Sequence, residues 1–167
     1  RLPHFVSALV LVLGLGYCVP VQAQVGAAAK QGDERIGKLL DEINWKYEVD
    51  SDGDYKLIFR FEDDRTQIVF VNSNTSKLGP LEIREVWAPS FRMGPNPRPA
   101  DNQALLEAND KVKLGAWRVV KAGDDYVAVF AIQIAADADR ETLRTAVDAA
   151  SVTADQMEQK YSQEDEF

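Results

Sequence analysis

Residues 44–72 read NWKYEVDSDGDYKLIFRFEDDRTQIVFVN, and their periodicity sets the fold class. Up to Asn44 the spacing is helical: Ile36, Leu39, Leu40 and Ile43 fall at i, i+3, i+4 and i+7, with Asp33 placed as a cap. After Asn44 the period becomes two. Trp45, Tyr47 and Val49 share one strand face, and Tyr55, Leu57, Phe59 and Phe61 share the next. Between them, Asp50-Ser51-Asp52-Gly53-Asp54 holds the Asp-Gly step of a tight hairpin turn. Glu62-Asp63-Asp64-Arg65 makes a second turn into residues 66–72, where Ile68 and Phe70 face one way and Val69 and Val71 the other. Apolar side chains on both faces predict a central strand. Strands joined by turns this short pair antiparallel.

The same reading continues downstream. A weaker strand is expected over residues 81–87. Residues 88–99, APSFRMGPNPRP, hold four prolines and a glycine and predict an irregular loop. Asp101 is placed to cap a helix through Val112, with Leu105, Leu106 and Ala108 turned inward and Gly115 ending it. Residues 116–121 and 126–135 then pair across Gly123-Asp124, with Tyr126, Ala128, Phe130, Ile132 and Ile134 on one face. A long helix runs from about Asp139 to Tyr161, its acidic start suiting the positive end of the dipole. Helices separated by runs of hairpin strands define an α+β domain, order α-β-β-β-(β)-α-β-β-α, rather than a parallel α/β sheet. Phe59, Trp117 and Phe130 are expected to be buried.

Ahead of this domain lies a 15-residue apolar run, residues 5–19, preceded by Arg1 and followed by Val21-Gln22-Ala23. That layout predicts a signal peptide over residues 1–23, cleaved between Ala23 and Gln24, and a periplasmic or secreted product. A membrane anchor would need about 20 apolar residues, and Pro20 closes the run early. Residues 24–32 read as a flexible lead-in, 33–161 as the single domain and 162–167 as an acidic disordered tail. Removing residues 1–23 takes away the one His, His4, and the one Cys, Cys18. The remaining 144 residues carry 18 basic and 27 acidic groups, a formal charge of −9. Without imidazole or thiolate, Ser-His-Asp and Cys-His catalysis are excluded, as are zinc sites built on those ligands. The acidity argues against nucleic acid, whose affinity comes mainly from Lys and Arg on phosphates.

Several residues along the chain resemble the YbjN-like family, whose members are described as bacterial sensory transduction regulators. They are Leu39-Leu40 with Asn44-Trp45, Leu105-Leu106 with Asn109, Gly115-Ala116-Trp117, Val127-Ala128-Val129, and Ala154-Asp155-Gln156-Met157-Glu158 with Tyr161. The resemblance implies a type III secretion chaperone-like fold, a curved antiparallel sheet flanked by helices. It implies a non-catalytic protein-binding or regulatory module and carries over no catalytic residue, cofactor or metal.

Four features compete for a functional role. Asp50, Asp52 and Asp54 alternate like the start of a calcium loop, but its sixth and twelfth positions hold Tyr55 and Phe61 instead of Gly and Glu. A hydrated hairpin turn is the simpler reading. Glu62-Asp63-Asp64 and Asp124-Asp125 offer paired carboxylates, but turn tips seldom bury an acid enough to raise its pKa. Leu143, Val147, Ala150, Ala154, Met157 and Tyr161 are spaced 4, 3, 4, 3, 4, a seam that suits either the domain's own sheet or a homodimer. Trp87, Phe91 and Met93, with Arg92 and Arg98, either fold over the sheet edge as a lid or bind a partner polypeptide. The alternative role, from a different class, is a carrier that holds a small apolar ligand or lipid on a concave sheet face.

Overall fold

The computed structural model describes residues 30–61, 64–162 and 164–167. The export segment, its cleavage site and most of the lead-in lie outside them. The elements follow as α1 (Glu34–Ile43), β1 (Glu48–Val49), β2 (Tyr55–Arg60), β3 (Thr66–Leu78), β4 (Leu81–Gly94), α2 (Pro99–Asn109), β5 (Ala116–Ala122), β6 (Asp125–Ala135) and α3 (Arg140–Tyr161). This is the α+β order read from the sequence, with the optional fourth strand present. The six strands form one open, curved, antiparallel sheet in the order β1-β2-β3-β4-β6-β5.

All three helices pack on the same sheet face. Leu57, Val69, Val71, Val86, Phe130 and Ile132 point from the strands into one core with Ile36 and Leu40 of α1, Leu105 of α2 and Leu143 of α3. Ala146, Ala150 and Ala154 are fully buried, and their small side chains let α3 lie close to β4 and β6. The regular seam on α3 is therefore used within the chain: Leu143, Val147, Ala150 and Ala154 face the core, and Met157 and Tyr161 pack against it. A dimer contact through these residues would require the core to open.

Asp33 ties α1 to the sheet. Its carboxylate accepts the Arg35 backbone N–H at 3.0 Å as the helix cap, and the Arg84 guanidinium at 2.6 Å. Arg84 is buried on β4 and also donates to the Asn72 carbonyl at 2.6 Å. Two further bonds complete the knot: the Asp33 N–H donates to Ser73 Oγ, and the Tyr55 hydroxyl donates to the Asp33 carbonyl. The Asp50–Asp54 turn is closed by its own hydrogen bonds. Asp50 Oδ1 accepts the backbone N–H groups of Asp52 and Asp54 at 2.9 and 3.0 Å, and Gly53 takes φ 86°.

Six local expectations are corrected. β1 is only two residues long, so Trp45 and Tyr47 pack from a connector rather than a strand. Phe59 is half-buried at the sheet margin, edge-on to Trp45 at 5.3 Å, whereas Trp117 and Phe130 are buried as expected. Most of the proline-rich segment is strand: β4 continues through Gly94, pairing Ala88, Pro89, Phe91 and Arg92 with β6. Proline's missing N–H is absorbed by bulges after Pro89 and Arg92, as edge or bulge positions permit. Asp101 does not cap α2. The helix starts at Pro99, whose missing N–H suits the first turn, and Arg98 clamps Asp101 at 2.7 Å. On α2 only Leu105 is buried among the expected inward residues, while Leu106 is 70 % exposed. Finally, the tail is not free. Thr66 donates to Asp165 from both its N–H and its hydroxyl, and the Glu166 N–H donates to Glu158 at 2.7 Å.

Candidate functional site

The sheet face opposite the helices carries the candidate site. Strand alternation sends Val69 and Val71 to the helices, so Ile68 and Phe70 must face the other way. The same holds on β6, where Ala128 and Phe130 join the core and Val127 and Val129 face outward. Cross-strand register then brings these side chains together. Phe70 pairs with Trp87, Trp87 with Ala131, and Val120 with Val127. The result is an apolar groove of about 300 Å³ floored by Ile68, Phe70, Trp87, Pro89, Val127 and Val129.

Trp87 is fixed on two sides. Its indole stacks on Phe70 at 4.4 Å and 15°, and its Nε1–H donates to Asn72 Oδ1 at 2.8 Å. An indole so oriented presents a rigid surface at little entropic cost. Arg92 is the one charged side chain lining the groove among the described residues. Past the Phe70–Trp87 pair, β3 and β4 no longer pair with each other, and the Gln67 side chain spans the gap by donating to the Pro89 carbonyl at 2.7 Å.

The residues singled out from the sequence divide between the two faces. Trp87 and Arg92 reach the groove. Phe91 is only 4 % exposed and stacks on Tyr161 of α3 at 4.9 Å, and Met93 packs beside the core. The bulge at Ser90 causes this split, since it sends both Ser90 and Phe91 inward. Ser90 Oγ donates to the Ala154 carbonyl. Arg98 is held by Asp101, away from the groove. Phe91 and Met93 are thus strand residues of β4 turned toward α3, neither a lid folded over the sheet edge nor part of the groove, and of the five only Trp87 and Arg92 line it.

A buried ionic cluster closes the end of the sheet nearest the groove. Arg65 contacts Asp155 at 2.8 Å and Glu158 at 2.6 Å, with Asp165 at 3.6 Å. Burial pushes the Glu158 carboxyl above its ordinary value, although Arg65 and the Glu166 N–H oppose the shift. Burial works against the Arg65 charge too, but its acidic partners outweigh it and hold the guanidinium protonated. No group of three or more metal-ligating side chains occurs among the described residues, and no described helix is long and apolar enough to cross a membrane.

By class, this is an α+β domain with one sheet face covered by helices and the other left apolar and uncovered by them. The chain belongs to the YbjN family, described as "Putative bacterial sensory transduction regulator", whose model matches residues 33–160. That description names a regulator and not an enzyme. Among solved structures, the chain is similar to "Crystal structure of YbjN, a putative transcription regulator from E. coli", at 12 % identity and a TM-score of 0.48. The match covers 77 % of this chain and 92 % of that one. No curated protein matches the chain.

Proposed function

We propose that this chain is an exported, non-catalytic regulatory module that binds a segment of another protein on its open sheet face. The observation that carries the reading is the groove itself. Trp87, Phe70 and Ile68 form a contiguous aromatic and aliphatic surface beside a single cation, Arg92. Contiguous apolar patches rimmed by polar groups mark interaction sites, and Trp, Tyr and Arg dominate binding hot spots. A photo-reactive residue replacing Val120 should capture a defined polypeptide in intact cells. The same residue replacing Val152, 42 % exposed on the outer side of α3, should not. Equal capture from both positions, or none from Val120, would remove the reading.

Export is the second element of the proposal and rests on residues 1–23. Protein from the envelope or medium should begin at Gln24 on N-terminal sequencing. Cytoplasmic protein that retains residues 1–23 would overturn it.

The groove's apolar floor also favours a carrier of a small apolar ligand. An open face leaves much of a lipid chain in water, whereas small-molecule sites bury most of their ligand. Native mass spectrometry separates the two: a bound lipid after mild purification supports the carrier, and bare protein supports the binding module.

A further inference from the structure

Residues 164–167 leave the helix layer, pass the end of the sheet and place a phenylalanine on its opposite face. Each step has a partner. The Glu166 N–H donates to buried Glu158 at 2.7 Å, and Ser162 Oγ donates to Glu166. Asp165 Oδ2 accepts both the backbone N–H and the hydroxyl of Thr66, at 3.0 and 2.9 Å. Glu166 Oε2 accepts the Arg92 N–H at 3.3 Å and lies 3.7 Å from its guanidinium. Phe167 then lines the groove beside Phe70, Trp87 and Val127, with the Arg92 guanidinium 5.3 Å from its ring centre.

We infer that this segment is a tethered occupant of the groove, and that the groove's partner is an extended polypeptide of the same chemistry: two consecutive acidic residues followed by a large aromatic one. The inference rests on the binding reading above and adds what is bound. Arg92 reads two properties at once, since a guanidinium pairs with a carboxylate and also sits over an aromatic face. Backbone N–H groups of Thr66 and Arg92, at the end where β3 and β4 have parted, supply the donors for the two carboxylates. The apolar floor takes the ring. Arg92 is about half exposed, so its contacts with the segment are individually weak. A weak tether still excludes competitors because tethering gives it a millimolar-range effective concentration. A partner with additional contacts can displace it.

The test uses the full chain and a fluorescein-labelled peptide, Ser-Gln-Glu-Asp-Glu-Phe, amidated at its end. Glu166→Gln with Phe167→Ala empties the groove, and polarisation titrations compare this variant with the unmodified protein. The peptide should bind the variant at least ten-fold more tightly. Adding Trp87→Ala to the variant should abolish binding, with the melting temperature reported alongside. A peptide of reversed sequence should not compete. In NMR spectra the Trp87 indole N–H resonance should move on emptying the groove and return when peptide is added. Equal affinity for both proteins would show that the segment does not occupy the groove. Binding to neither would show that the groove rejects this chemistry. Either result overturns the inference without touching the proposed function, which stands or falls on the capture from position 120.

Discussion

Replacing Asp33 with alanine should destabilise the domain by about 3–5 kcal/mol, the cost of leaving a buried charge without its partner. The helix cap alone is worth about 1 kcal/mol. The larger part comes from Arg84, whose side chain is 3 % exposed and would lose its only carboxylate among the described contacts. The carbonyls of Asn72 and Ser73 would keep it hydrogen-bonded but not neutralised. Asp33→Asn separates the two effects, since an amide still caps the helix. It should recover about 1 kcal/mol in urea titrations and no more. Acid offers an independent check. The Arg35 hydrogen bond, opposed by burial and helped by Arg84, holds Asp33 well below the usual carboxylate range. Arg35, with Thr75, lowers Glu82 from 4.5 to about 2. Both folded values lie below the unfolded ones, so the stability these groups add is present above pH 4.5 and lost as pH falls toward about 2. Asp33→Asn should flatten that acid limb. A cost under about 1 kcal/mol for the alanine variant, or an unchanged acid limb, would mean that Arg84 has found another counter-charge.

The sequence carried the succession of elements because period-two runs and turns at Asp52-Gly53 and Gly123-Asp124 are local signals. Asp33, Asn44, Gly53 and Asp139 each occupy the cap or turn that their chemistry suits. Residues 88–94 misled for a reason equally physical. Prolines and glycine speak against a strand only where the ladder needs an N–H. Here β6 supplies a long partner, and bulges take up Pro89. The groove was half legible. Alternation at Ile68-Val69-Phe70-Val71 showed two apolar faces, which read as burial on both sides. What alternation cannot say is whether a helix covers each face, because that depends on where α1, α2 and α3 return. The placement of residues 165–167 was not legible at all. Acidic residues near a chain's end have the composition of a solvated tail, and only the position of Glu158 and Thr66 in space gives them partners.

Arg65→Met should cost a comparable 3–5 kcal/mol at pH 8, and its dependence on pH distinguishes it from a packing defect. The substitution removes the cation from Glu158, fully buried, and from Asp155, whose side chain is 7 % exposed. Two responses then compete. If both acids stay ionised, the charges repel in a poorly solvated site. If Glu158 takes a proton, the penalty is limited to about 1.4 kcal/mol for each unit between its pKa and the solution pH. Burial already pushes Glu158 upward with Arg65 in place, so protonation is the cheaper response once the cation has gone. A carboxyl whose folded pKa lies above its unfolded value stabilises the fold while protonated, and that contribution is lost as pH rises through the folded pKa. The cost of Arg65→Met should therefore shrink between pH 8 and pH 5. Arg65→Met combined with Glu158→Gln should recover most of the loss at pH 8, because the amide oxygen can still accept the Glu166 N–H while carrying no charge. Urea titrations of the single and double variants at the two pH values decide it. A pH-independent cost, or a double variant no more stable than the single one, would show that the methylene stem of Arg65 matters more than its charge.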